Sequence, residues 1–185
     1  MGGRVGARQV LSSVYDERCD YIKSLFDGKT GIVGAEIGVQ QGRMAKRMLK
    51  WPALKEYWCI DPWKEYDGYM KGAGFHQITM HNFLHTAALF TDKVRILTLK
   101  GCEAAPIFPP KHFDFVFIDG DHSYVAVGQD ILDWAQKVKV GGWLCGHDYG
   151  QESCSGVKQA VDEIFRSGVK TGPDYTWFIQ RSAEG

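Results

Sequence analysis

No stretch of this 185-residue sequence is apolar over anything near the ~20 residues that span a bilayer, so no membrane helix is expected. Net charge is also missing, with 22 basic against 22 acidic residues. That balance gives no reason to expect nucleic acid or an anionic membrane as a partner. Arg43, Lys46, Arg47 and Lys50 do share one predicted helix, and they read as its solvated face. The five cysteines are scattered, odd in number and contain no Cys-x-x-Cys pair, which speaks against a disulfide framework or a zinc ribbon. Reduced thiols and a cytoplasmic location are the expectation. The opening MGGRVGARQV has arginines but no apolar core behind them, so it is not read as a secretory signal. Residues 1–11 are expected to be a disordered lead-in and 12–185 a single domain. Internal repeats, low-complexity tracts and linkers are lacking too.

What is present is alternation. A first helix is predicted from Ser12 or Ser13 to about Phe26. Strands are predicted at Ile32–Ile37, Glu56–Ile60, Val94–Leu99, Phe113–Ile118, Val140–Cys145 and Thr176–Ile179. Helices fall between them at Gly42–Trp51, Ile78–Phe90, Cys102–Ile107, Val125–Lys139 and Val157–Phe165. The Val125–Lys139 helix takes Val127, Ile131, Leu132, Trp134, Ala135 and Val138 as its apolar set. Such alternation implies an α/β fold: a doubly wound, mostly parallel sheet with helices on both faces. Pro62–Phe75, rich in Gly, Tyr and Trp, is the one long irregular piece and lies past a strand end, where a lid or substrate loop is expected.

Between the first strand and its helix stands Glu36-Ile37-Gly38-Val39-Gln40-Gln41-Gly42. Glycines there allow close approach of backbone to ligand, and a helix N-terminus supplies free N–H groups. The dinucleotide fingerprint Gly-x-Gly-x-x-Gly is absent. A diphosphate would be repelled by Glu36, whereas an amino-bearing ligand would be attracted. The acid-x-Gly-x-x-x-Gly pattern resembles motif I of class I S-adenosylmethionine-dependent methyltransferases. Asp61 ends the second strand, where an acid accepts hydrogen bonds from both ribose hydroxyls in that family and in nicotinamide enzymes alike. The resemblance places Gly101, Cys102 and Glu103 beside the adenine. The expected cofactor set is thus Glu36, Gly38, Gln41, Gly42, Asp61, Gly101, Cys102 and Asp119.

A second constellation is FVFIDGDHSY, residues 115–124, together with GHDY, residues 146–149. The fourth and fifth strands are expected neighbours, about 5 Å apart. Their ends would set Asp119 beside Asp148, a pair that repels unless a cation or a proton intervenes. A divalent ion, Mg²⁺ or Mn²⁺, resolves this and can hold vicinal substrate oxygens. His122 is then in reach as the general base. These stretches, with Asp130, Trp134, Gly141-Gly142 and Gly156–Val161, resemble the small metal-dependent methyltransferases of the "methyltransferase 24" type over about residues 31–166. The resemblance implies Asp119 as metal ligand, His122 as base and Asp148 as the further metal-binding acid. Two departures stand out. Tyr149 replaces the Asn ligand of catechol-type relatives, and His147 replaces an acid of the sugar enzymes. Either His147 ligates a softer metal, or Asp121 is the third ligand, or there is no metal.

His76, His81, His85 and His112 lack matched acid spacing and read as surface or packing histidines. Trp58, Trp63, Tyr66 and Tyr69 are open between an acceptor pocket and plain packing. The resulting expectation is S-adenosylmethionine-dependent O-methylation of a small hydroxylated metabolite, a sugar or a phenol. Residues 62–85 would select the acceptor, and a homodimer partner could close the pocket. A nicotinamide-dependent oxidoreductase and a non-catalytic nucleoside-binding module are the alternatives.

Overall fold

The computed structural model describes residues 17–65 and 72–183. The expected lead-in at 1–11, the start of the first helix, Tyr66 and Tyr69 lie outside them. Five parallel strands form most of one sheet: β1 (Ile32–Ile37), β2 (Leu54–Ile60), β3 (Val94–Leu97), β4 (Phe113–Ile118) and β5 (Val138–Gly146). The last two, β6 (Lys170–Thr171) and β7 (Trp177–Gln180), complete the order β3-β2-β1-β4-β5-β7-β6, with β7 antiparallel to both neighbours. The direction of strand order reverses between β1 and β4, and open α/β sheets bind ligands in the crevice at that reversal.

Apolar residues in the central strands alternate between two helical layers. Phe115 and Phe117 of β4 face the helix at 17–24 (α1), α2 (Arg43–Met48) and α3 (Ala73–Ala87), meeting Ile22, Met48 and Phe83. Val116 and Ile118 face α4 (Gly101–Ala104), α5 (Tyr124–Ala135) and α6 (Ser155–Phe165), meeting Ile131, Trp134 and Val161. Helices on both sides explain why β4 is apolar on consecutive residues rather than on every second one. An irregularity in pairing between Phe113 and Phe115 turns Phe113 to the Trp134 side.

Several predicted boundaries move. Val138 belongs to β5, paired with Phe113, rather than to the preceding helix, which ends at Ala135. The helical spacing of Val127, Ile131, Trp134 and Val138 suits a buried strand start equally well, so periodicity alone ran past the turn. Leu132 is exposed and leaves the predicted apolar set. Helix α3 starts at Ala73, five residues before its predicted start at Ile78, and ends at Ala87. Ile78 is exposed, while Phe83 and Ala87 are buried. The two-residue β6 has no apolar pattern, and neither of its residues is buried.

Gly34 of β1 sits opposite Phe115 of β4, and a Cβ on it would meet the Phe115 ring at 2.3 Å. Gly34→Ala is therefore expected to destabilise the protein by about 1–3 kcal/mol through overpacking. In a Phe115→Leu background the same change should be milder. Equal losses in the two backgrounds, measured by chemical denaturation, would contradict this packing account.

Candidate active site

Each of β1, β2, β4 and β5 continues its hydrogen bonding just past its last residue. Gly38 donates to the Ile60 carbonyl at 2.8 Å and Asp119 to that of Ile37 at 2.7 Å. Asp61 donates to Leu97 at 3.2 Å and His147 to Ile118 at 3.0 Å. The loops that follow are thereby pinned at the carboxyl edge of the sheet. They surround a cleft of about 1060 Å³. Glu36, Gly38, Gln41, Asp61, Gly101, Cys102, Asp119, His122, His147 and Asp148 all line it. Gly42 does not line it; it precedes α2 with φ 73°, and a Cβ there would strike the Phe83 ring at 2.5 Å.

The other glycines make room for the protein more than for a ligand. A Cβ on Gly38 (φ 89°) would lie 2.0 Å from the Asp119 carbonyl oxygen. One on Gly101 would lie 2.3 Å from a carboxylate oxygen of Asp130, which is itself buried and lines the cleft. Burial, reinforced by Asp133 and Asp121, pushes the Asp130 carboxyl up to about 7.

Glu36 is buried beneath the cleft, and the Tyr57 hydroxyl donates to its Oε2 at 3.0 Å. Burial pushes its pKa up to about 8 against the lowering effect of that hydrogen bond. Asp61 accepts from three backbone N–H groups, those of Val39 (3.0 Å), Gln40 (2.8 Å) and Trp63 (2.7 Å). It therefore ties the β1–α2 loop to the loop after β2. A carboxylate has about four acceptor positions, so one is left for a ligand hydroxyl. Trp63 (φ 42°) donates its ring N–H to the Gln40 carbonyl at 2.7 Å and stacks on Phe83 at 5.3 Å. It anchors the root of the loop. Trp58 lies outside the cleft, edge-on to Phe108 at 4.8 Å. His76 is buried and lines the cleft, while His81 and His85 face each other on the exposed side of α3 with their Nε2 atoms 2.9 Å apart.

Across the cleft, donor atoms of Asp119, His147 and Asp148 lie within 4.8 Å of one another. His147 Nδ1 is 2.9 Å from Asp148 Oδ1 and 3.7 Å from Asp119 Oδ1. Burial lowers the His147 pKa, but the Asp148 hydrogen bond and the Asp119 charge outweigh it and leave it raised. Asp148 is lowered, because the His147 hydrogen bond and charge overcome its burial. Its φ of 61° is a left-handed conformation that Asp tolerates. His122 Nε2 lies 3.0 Å from Asp148 Oδ2 and 3.6 Å from Asp119 Oδ1. The Asp119 carboxylate, with Asp148 beside it, raises His122 to about 9 against the opposing effect of burial. Asp121 stands apart from this group: its Oδ1 accepts from the Ser123 N–H at 2.9 Å, a turn contact.

Two further residues belong to the site. Buried Arg18 of α1 places Nη1 3.5 Å from Asp119 Oδ2 and pairs through Nη2 with Asp174, between β6 and β7. Asp174 in turn lies 3.3 Å from His147 Nε2. No local motif marks either residue. Arg18 is 101 positions from Asp119, and only the fold brings them together.

The family model described as a methyltransferase domain, type 24, matches residues 35–149, which run from within β1 past Asp148. The chain belongs to the methyltransferase 24 family. Its fold is that of the class I, S-adenosylmethionine-dependent methyltransferases. A solved structure assigned to the S-adenosylmethionine-dependent methyltransferases, from Methanococcus maripaludis, superposes with a TM-score of 0.68 at 14% identity, over 97% of this chain and 90% of that one. The O-methyltransferase NovP gives a TM-score of 0.61 at 21% identity, over 93% and 79%. CalS11, a TDP-rhamnose 3'-O-methyltransferase of calicheamicin biosynthesis, gives 0.64 at 12%, over 94% and 80%. At these identities the superpositions speak for the fold. No curated protein matches the chain by sequence. For a methyltransferase 24 domain the position of Glu36 beneath the motif I loop is the chemical feature to test.

The raised pKa of Glu36 has a definite sign in stability. The folded chain holds a proton that the unfolded chain releases above the ordinary value of 4.5. This contribution is fully present below pH 4.5 and is lost as pH rises through about 8. Glu36→Gln keeps an acceptor for Tyr57 without the charge. Its melting temperature should fall less steeply than that of the parent between pH 5 and 8, the window that those values set. Parallel slopes in the ligand-free proteins would contradict the assignment.

Proposed function

We propose that the protein transfers a methyl group from S-adenosylmethionine to a hydroxyl of a small metabolite, a sugar or a phenol, with a divalent ion, Mg²⁺ or Mn²⁺, at Asp119, His147 and Asp148. The observation that carries this reading is a single cleft with a buried acid under the motif I loop and, facing it, two carboxylates and an imidazole. The donor supplies an electrophilic sulfonium methyl, and the ion supplies Lewis acidity to the acceptor oxygen.

The residues present fit both groups. Burial keeps Glu36 protonated near neutrality against the Arg18 charge, and a ligand amino group is a further cation for which it is the natural counter-charge. The remaining acceptor position of Asp61 suits a ribose hydroxyl. Asp119 and Asp148 bring two carboxylates against His147, a cage of two oxygens and one nitrogen. An O-acceptor is favoured over an N-acceptor because a hydroxyl gives up its proton reluctantly and an uncharged amine has no need to. A base and a carboxylate-held cation would be superfluous for the amine. Unopposed, Asp119 and Asp148 keep His122 protonated near neutral pH. Once their charge is balanced, its pKa returns towards the ordinary range and Nε2 can take the hydroxyl proton. Methyl transfer forms no covalent enzyme intermediate, so the remaining work of these residues is alignment. Solved O-methyltransferases such as NovP and CalS11 share the fold and so are compatible with this acceptor class.

Calorimetric titration with S-adenosylmethionine should show saturable binding. No heat and no shift in melting temperature at millimolar donor would overturn the reading. His122→Ala should lower kcat by roughly 10²–10⁴-fold, the usual share of a general base, and leave donor affinity nearly unchanged. Equal losses in kcat and donor affinity would remove His122 as the base. Donor binding without turnover of any hydroxylated acceptor under Mg²⁺ or Mn²⁺ would favour a non-catalytic module.

A further inference from the structure

A second set of metal-binding donors lies beside the first and differs in kind. Cys154 Sγ, a ring nitrogen of His122 and a carboxylate oxygen of Asp148 also lie within 4.8 Å of one another. Cys154 Sγ is 3.4 Å from His122 Nδ1, and Asp148 Oδ2 is 3.0 Å from the other ring nitrogen. The three residues come from separate segments: the β4–α5 loop, the end of β5 and the short turn Glu152–Cys154 before α6.

Their convergence is built into the packing. A Cβ on Gly156 would lie 2.6 Å from the Tyr124 backbone nitrogen and 2.9 Å from the His122 carbonyl oxygen, so only glycine lets the start of α6 press onto the His122 loop. The Tyr124 hydroxyl closes the same contact from the α5 side by donating to Glu163 of α6 at 2.6 Å. Cys154 is thus held against His122 by two helices.

We propose that His122, Asp148 and Cys154 form a zinc site that takes His122 out of service when occupied. Thiolate, imidazole and carboxylate are zinc donors, and three of them leave a tetrahedral ion one open position. A zinc ion takes one nitrogen of a histidine, and the two ring nitrogens of His122 meet Cys154 and Asp148 separately. Binding therefore turns the half-exposed imidazole until one nitrogen faces the ion together with the sulfur and the carboxylate, donors that already lie within 4.8 Å of one another. Sulfur separates this site from the neighbouring cage, whose donors are two oxygens and a nitrogen. Binding releases the thiol proton to solvent and forms a metal–sulfur bond, with no change of oxidation state. The site itself stands on donor geometry. Only its consequence, loss of the proton acceptor, rests on the proposed role of His122.

Cobalt(II) reports a thiolate ligand directly, through a sulfur-to-metal charge-transfer band in the near ultraviolet. Titrating the intact protein with cobalt should raise this band to saturation at one equivalent, and zinc should bleach it. Cys154→Ser should abolish it and weaken zinc binding more than about ten-fold, since even outer-sphere partners are worth about 10–100-fold. A missing band, or one that survives Cys154→Ser, overturns the proposal. A measurement on the unmodified chain covers the case of a variant that misfolds. Zinc should slow alkylation of Cys154 by iodoacetamide, mapped by mass spectrometry, while exposed Cys102 reacts as before. Equal rates at Cys154 with and without zinc would also overturn it. Neither readout involves S-adenosylmethionine or turnover, so failure here leaves the donor reading untouched, and failure of donor binding leaves the zinc site standing.

Discussion

The site depends on how closely β1 and β4 approach one another beyond their last paired residues. Asp119 donates its backbone N–H to Ile37, and its carbonyl oxygen fills the space where a Cβ of Gly38 would be. This contact fixes the first residue of the β4–α5 loop against the motif I loop. On the other flank, His147 donates to Ile118 and brings Asp148 alongside. The two halves of the cleft are therefore coupled through main chain, which cannot relax as a side chain can. The glycine is required because of the protein's own backbone, and any ligand inherits the resulting shape.

Charge is the second organising factor. Glu36, Asp119 and Asp148 line one cleft, with Asp174 behind them against Arg18 and His147, and the structure meets their charge in three ways. Glu36 retains a proton through burial, Arg18 reaches in from α1 to Asp119 and Asp174, and both histidines are raised by the carboxylates they touch. Each is a response that a cationic ligand would replace. Groups with shifted pKa values cluster at functional sites. Asp148 belongs to both sets of converging donors, the oxygen-rich one and the thiol-bearing one.

Much of this was legible in the chain itself. Strand–helix alternation gave a doubly wound sheet, and the strand-end acids fell at the carboxyl edge because parallel strands all end there. Other features had no local signature. Arg18 and Asp174 come from the two ends of the chain and meet only through the fold. Gly42 fitted a ligand-approach pattern but answers to Phe83, and Asp61 serves three backbone donors before it serves any hydroxyl. Val138 was misplaced because a helix face and a strand start can share the same apolar spacing. Cys154 carries no local signal, since its partner His122 is 32 residues away and the glycine that joins them, Gly156, looks like any other helix-start glycine.

The proposed function needs one cleft to hold a nucleoside donor over Glu36 and Asp61 and a divalent ion between Asp119 and Asp148. A crystal structure of the protein with S-adenosylhomocysteine and Mn²⁺, with data collected at the manganese absorption edge, tests it most directly. The expected result is one anomalous peak bonded to Asp119 and Asp148, with the amino group of the nucleoside product facing Glu36 and its ribose facing Asp61. A nucleoside bound elsewhere, or manganese absent from those two carboxylates while the nucleoside is in place, would contradict it.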